Sequence, residues 1–172
     1  IADLVPFKNG WPVIPQDLLS SYESAVSIAV RLESSIISGI KDRPTPEYAE
    51  HYRKINASLD RTASELVAWI NVRGFDAKAV PASLIVDGEN LLGNISHKAI
   101  AHMAGIGWQG KSLLIINPEY GPRIRLATVL TDMPLAADHP LKNRCGTCPE
   151  CSKACPASAI KNISTDSRYE KR

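Results

Sequence analysis

The segment Gly105-Ile-Gly-Trp-Gln-Gly-Lys-Ser112 satisfies the string G-x-x-x-x-G-K-[ST], and its flanks decide the fold. A phosphate-binding loop needs a strand leading in and a helix leading out, because helix N-terminal N–H groups must face the phosphates. Residues 126–132, ending at Asp132, would then supply the strand and the magnesium-binding acid of an NTPase. The flanks run the other way. Residues 96–104 read as a short helix capped by Ser96 and stopped by Gly105, and residues 113–116, Leu-Leu-Ile-Ile, read as a strand. The expectation is a glycine-rich connection from helix to strand that does not hydrolyse ATP. Such a connection either packs backbone closely or presents N–H groups and Lys111 to another anionic or polar ligand.

Working outward, residues 125–130 form a second strand after the turn residues Asn117, Pro118, Gly121 and Pro122. Upstream, residues 25–32 alternate Val26, Ile28 and Val30 on an apolar background, as in a strand covered on both faces. A further short strand fits residues 77–80. Between them, Thr45-Pro46-Glu47 opens a helix: a capping hydroxyl, proline at the first helical position and an acid in the first turn. Tyr48, Tyr52, Ile55, Leu59, Leu66 and Ile70 then recur on one face, and Gly74 ends the element. The fold class is α/β (α+β), a mixed sheet flanked by helices. Pro134, Asp138, Pro140 and Lys142 break the apolar pattern, so residues 1–138 are assigned to the α/β domain and 139–172 to an appended module.

The 172 residues, 44% of them hydrophobic, suffice for a core. A net charge of +2 gives no strong general pull toward nucleic acid or an anionic membrane. No apolar run is long enough to span a bilayer and the first residues lack a secretory pattern, so the expected address is cytoplasmic. All four cysteines fall between 145 and 155, as local ligands do and disulfide frameworks do not. The absence of an initiator Met at Ile1 and the polar run 164–172 suggest that neither end is the natural one.

Cys145-Gly-Thr-Cys148-Pro-Glu-Cys151-Ser-Lys-Ala-Cys155-Pro156 is the C-x2-C-x2-C-x3-C-P run of bacterial-type ferredoxins. Its close spacing suits thiolates wrapping a [4Fe–4S] cubane, whereas structural zinc sites usually separate two Cys pairs by a longer loop. In two-cluster ferredoxins the fourth cysteine ligates the other cluster. Cys155 therefore either closes a single cluster or belongs with cysteines beyond Arg172, and the second is the expectation, with 139–172 truncated at its C-terminal end. The cluster serves electron transfer or acts as a structural staple.

Taken together, Ala99-Ile-Ala101, Ala104-Gly-Ile-Gly-Trp108-Gln-Gly110-Lys111-Ser112, Leu114-Ile115, Tyr120-Gly121, Leu130-Thr131-Asp132 and the cysteine run with Ala159-Ile160 resemble the epoxyqueuosine reductase-like iron–sulfur proteins. These are relatives of the reductive dehalogenases, and a weaker likeness extends to Tyr52, Asn56 and Leu59. The resemblance implies a reductase-like domain holding a corrinoid (cobalamin), beside a ferredoxin-like module whose two [4Fe–4S] clusters feed electrons to cobalt. It further implies an electron-donor protein and a small-molecule or modified-tRNA substrate. Two departures stand out. The second cysteine group is missing, and Leu92-Gly93-Asn94-Ile95-Ser96-His97 stands where the reductase has an Asp and an acidic segment.

The candidate cofactor pocket comprises His97, Gly107, Trp108, Gly110, Lys111 and Ser112. Glycines admit close backbone approach, Trp108 supplies an apolar wall, and Lys111 and Ser112 bond polar groups. His97 and His102, five apart, do not share a helix face as a metal pair would. Each is by default an ordinary polar histidine, and Trp108 is more often core than platform. Arg123, Arg125, Lys142 and Arg144 form either a basic rim or a solvated face. The leading function is a reductase. The rivals are a non-catalytic electron carrier or cluster-binding interaction module, and a P-loop NTPase.

Overall fold

The computed structural model describes residues 1–9 and 11–161. The C-terminal part of the expected module 139–172, including the polar run 164–172, lies outside the described residues.

Four strands form the main sheet: β1 (Ala2–Asp3), β2 (Ser24–Arg31), β3 (Ala77–Val80) and β6 (Ile124–Thr131), in the order β1-β2-β6-β3. The two longest pair along their full length, from Ser24 opposite Thr131 to Arg31 opposite Ile124. The sheet expected to be mixed is antiparallel at every pairing among the described residues. The reason is topological. The chain crosses from β2 to β3 in the same direction through helices α1 (Ser34–Ser38) and α2 (Pro46–Asn71), but β6 later inserts between those two strands and runs against both.

Helix α2 starts as its sequence dictates, with the Thr45 side chain accepting a hydrogen bond from the Tyr48 N–H at 3.1 Å. Its regular turns end at Asn71, and Gly74 follows with φ +83°, a conformation that favours glycine. Leu59, Ala63 and Ile70 are buried against one face of the sheet, where they meet Ala77, Ala127 and Val129. Helix α3 (His97–Met103), capped by the Ser96 side chain, covers the opposite face. There Ala99 and Ile100 pack with Ala25, Val80 and Leu130, while Ala101 packs with Ile115 and Leu126. Alternate residues of β6 thus enter two cores, Leu126 and Leu130 on one face and Ala127 and Val129 on the other, which explains why apolar residues stand on both faces of this strand.

Several elements were not read from the sequence. They are β1, a 3-10 turn at Val5–Phe7, α1, the strand β4 (Trp108–Gln109) and the short helix α4 (Glu150–Lys153). All are too short to develop a hydrophobic period. The expected strand 113–116 is reduced to β5 (Ile115–Ile116), because Leu113 takes φ +61° in the turn that joins β4 to β5. Residues 132–144 carry no regular structure but do not hang free. Met133 joins the core under α2, and the His139 carbonyl lies against Gly105, where an added Cβ would meet it at 2.9 Å.

Candidate functional site

The glycine-rich segment leaves α3 and forms a β-hairpin; it opens no helix. Trp108 and Gln109 pair with Ile116 and Ile115, and the turn closes through the Gly110 N–H to the Leu114 carbonyl at 2.8 Å. The P-loop reading is thereby overturned, since no helix N-terminus follows Lys111 to receive phosphates. The glycines serve packing. A Cβ at Gly107 would collide with the Ile116 carbonyl oxygen, and one at Gly110 would meet the Ile116 side chain at 2.8 Å. Gly107→Ala is expected to destabilise the fold by about 1–3 kcal/mol, the usual range for overpacking, measurable as a lowered urea midpoint with an unchanged slope.

Lys111 is 7% exposed, and its Nζ donates to the Cys148 carbonyl at 3.0 Å. Nearby, Asn143 Nδ2 donates to the Gln109 carbonyl at 3.0 Å while Asn143 Oδ1 accepts from the Cys145 N–H at 2.8 Å. The Arg144 guanidinium stands 5.6 Å from the Trp108 ring centroid. The hairpin is therefore the seat of the cysteine segment. Trp108 is buried there, and Ser112 lies half-buried beside it in the turn.

Within that segment a turn through Gly146, at φ +45°, carries Cys145 and Cys148, and α4 carries Cys151. The Cys155 thiol is held below its usual pKa by backbone N–H groups, foremost that of Ile160, then those of Ala159, Ala157 and Ser158. All four cysteines are free thiols. Among the described residues no three His, Cys, Asp or Glu side chains are gathered around a common metal position, whereas the spacing led us to expect Cys145, Cys148 and Cys151 to converge. Metal ligands repel one another as thiolates and are brought together by the metal itself, so a preformed site is the exception. The donor set still fits a cluster. Backbone N–H groups point at the Cys155 sulfur, and two buried polar atoms lack a hydrogen bond: Ser152 Oγ, next to Cys151 in the chain, and Trp108 Nε1, whose ring lies under Arg144.

His97 lies elsewhere. Its Nε2 is 3.0 Å from the Pro81 carbonyl and its Nδ1 is 2.8 Å from Thr128 Oγ1. A carbonyl only accepts, so Nε2 carries the proton and Nδ1 accepts from the Thr128 hydroxyl. Burial pushes the imidazole below its usual pKa, the nearby Arg125 lowers it further, and the Pro81 carbonyl and Asp60 oppose the shift only in part. As the pH falls below about 6.5, the unfolded chain takes up this proton before the folded one does. The stability contributed by neutral His97 is present above that value and is lost on acidification. Thermal melts between pH 7.5 and 5 should fall more steeply for the parent than for His97→Gln.

Two clefts, of about 340 and 310 Å³, open on either side of Ala82, His97 and Arg125. The first is also lined by Lys98, Leu114 and Ile115, and the second by Tyr52, Ser83, Leu84 and Leu91. Neither of these two clefts is lined by Gly107, Trp108, Gly110, Lys111 or Ser112; His97 lines both, and the hairpin tip holds the cysteine segment. The sequence missed the polar group that binds β6 to α2. Arg125 Nη2 donates to Tyr52 Oη at 2.9 Å and to Ser83 Oγ at 2.6 Å, and Nε donates to Asn56 Oδ1 at 3.1 Å. Tyr52 and Asn56, spaced i, i+4 at the edge of the apolar stripe, were the available signal. Arg125 forms no common rim with Arg144, which lies on Trp108, or with Arg123, which bonds the Tyr120 carbonyl. No helix is long and apolar enough to cross a membrane among the described residues.

Comparison with known proteins finds similar curated sequences that are epoxyqueuosine reductases, among them the following three. The protein from Bacillus cereus is 40% identical over 148 residues, covering 85% of this chain and 38% of that protein. That from Gloeobacter violaceus is 31% identical over 153 residues, covering 84% and 43% respectively. That from Bacillus anthracis is 28% identical over 148 residues, with coverage of 85% and 38%. The chain thus spans about two fifths of the length of the curated relatives it matches. A solved structure of epoxyqueuosine reductase with an epoxyqueuosine-modified tRNA stem loop superposes with a TM-score of 0.62 at 27% identity, covering 85% of this chain and 38% of that one. A catabolic reductive dehalogenase in complex with 3-bromo-4-hydroxybenzoic acid shares the fold, with a TM-score of 0.69 at 21% identity over 81% of this chain and 20% of that one. No protein-family model matches the chain.

Proposed function

We infer, for a chain that is epoxyqueuosine reductase-like in sequence and in fold, that it is part of an iron–sulfur oxidoreductase and passes electrons from a cluster to a reductive site. Cys145, Cys148 and Cys151 would hold a [4Fe–4S] cluster, with Cys155 on the same cluster or on a second one. The observation that carries the reading is the position of the β4–β5 hairpin. Gln109 and Lys111 fix the cysteine segment, while Leu114 and Ile115 of the same hairpin line the cleft beside His97. One short rigid element thus touches both places.

In this reading a cluster held by the cysteines would supply single electrons, and a corrinoid, if held beside the cleft, would supply a reducible cobalt. The chain's own residues position and insulate. Lys111 and Asn143 anchor the turn that carries Cys145 and Cys148. Trp108 and Ile115 are buried in the hairpin that joins the two places and would keep water from it. His97, neutral and bonded on both nitrogens, holds the Pro81 turn and α3 in place. The substrate would be a small molecule or a modified tRNA, as in the relative solved with a tRNA stem loop. An electron-donor protein would dock at the cysteine segment, where Cys148 is exposed.

The test is iron, sulfide, zinc and cobalt analysis of anaerobically purified full-length protein, followed by titration with cobalamin. The expected result is iron and sulfide in equal amount, with a change in the cobalamin absorption spectrum on mixing. Stoichiometric zinc without iron or sulfide would reject the cluster. Iron–sulfur without cobalamin binding would leave a non-catalytic electron carrier.

A further inference from the structure

Arg125 sits half-buried at the junction of the two clefts, and every partner it has is neutral: Tyr52, Asn56, Ser83 and the Ala82 carbonyl. Its guanidinium stacks 4.2 Å from the Tyr52 ring centroid. It makes no ion pair among the described residues. The carboxylate of Asp60, one helical turn beyond Asn56, is engaged by the Ala82 N–H at 2.8 Å. A guanidinium withdrawn from water without a counter-charge is a poor way to stabilise a fold and a good way to receive an anion.

The hydrogen-bond network leaves specific donors over. Ser83 Oγ accepts from Arg125 Nη2 and, at 3.0 Å, from Asn56 Nδ2, which uses both of its lone pairs. In the 2.9 Å contact between Ser83 and Tyr52 the serine must therefore be the donor. Tyr52 Oη then accepts from both Ser83 and Arg125, and its own proton remains unspent. Arg125 Nη1 likewise carries two protons with no partner among the described residues. The wall above them is apolar: Leu84, Ile85 and Leu91 are 48%, 56% and 70% exposed, and all three line the smaller cleft.

We propose that Arg125 and Tyr52 form the floor of a binding site for an organic phosphate. Its oxygens take the Arg125 Nη1 and Tyr52 hydroxyl protons, and its apolar or ring-shaped body lies against Leu84, Ile85 and Leu91. Three donors and a positive charge match a phosphate's unesterified oxygens, and large exposed aliphatic side chains around a charged floor match a ligand with one polar and one apolar end. The assignment holds whether or not the cysteines carry a cluster.

The experiment is titration of the intact protein with phenyl phosphate, followed by calorimetry, with inorganic phosphate and benzyl alcohol as the two half-ligands. Saturable binding of phenyl phosphate that weakens with salt is expected, with both half-ligands weaker. Tyr52→Phe, which keeps the ring and removes only the donor, should weaken binding by about tenfold, and Arg125→Gln by more, as for a hydrogen bond to a charged group. Circular dichroism confirms that each variant is folded, and Tyr52→Phe alone keeps the test decisive if Arg125→Gln is not. Absence of binding by the parent, or equal affinity in folded variants, overturns the proposal. Inorganic phosphate binding as tightly as phenyl phosphate overturns the apolar wall. A stem–loop RNA that displaces phenyl phosphate assigns the phosphate to nucleic acid, and failure to displace it assigns a small molecule.

Discussion

Leu59→Ala is expected to cost about 2–5 kcal/mol of folding stability, a large part of the total for a domain of this size. Leu59 has no exposed surface and sits midway along α2, packed on Ala82 and Ala127 with Ile28, Val30 and Ile55 around it. Its neighbours Ala82 and Ala127 are small and attached to sheet and turn, so they cannot collapse into the space. The value is measured by urea unfolding of parent and variant, followed by circular dichroism. A loss below about 1 kcal/mol would mean that α2 moves to fill the gap, contrary to the packing described. Leu59 lies one turn from Asn56, so the variant should also loosen the Arg125 group.

Lys111→Ala should release the cysteine segment while leaving the sheet core folded. The side chain is buried and reaches 37 residues along the chain to the Cys148 carbonyl. Removing it leaves that carbonyl without its charged donor and opens a space beneath the segment, together about 1–3 kcal/mol. The cost falls on residues 143–155, which Asn143 and Arg144 also tie to the hairpin. Hydrogen exchange is the direct measurement: amides of 145–154 should exchange faster, and those of β2 and β6 should not change. Under anaerobic reconstitution the same variant should retain less iron. Unchanged exchange in the cysteine segment would show that Lys111 does not anchor it.

The sequence was most legible where one element carries a long, capped period. Helix α2 has both its start at Thr45 and its stripe written in residue order, and α3 its Ser96 cap. The cysteine run is legible for another reason, since ligand spacing for a cluster is local and needs no tertiary contact to be read. The hairpin was half legible. The order of flanking elements excluded a phosphate loop, but β4 is two residues long and Leu113 breaks β5 through its backbone angle, which no apolar pattern announces.

What the sequence by itself determined, then, is the α/β class, the two helices that cover the sheet and the grouping of the thiols. Each depends on near neighbours in the chain, through periodicity, capping and spacing. Only the tertiary structure decided that β6 enters between β2 and β3, and with it every antiparallel pairing. That insertion brings Arg125 to Tyr52 and Asn56, 73 and 69 residues earlier in the chain, and sets His97 against Thr128. It also fell to the fold to direct Lys111 toward the Cys148 carbonyl. The physical reason is common to these cases: a side chain's partners across a sheet follow from strand order and register, and these are set by the burial of two cores together, not by the residues adjacent in sequence.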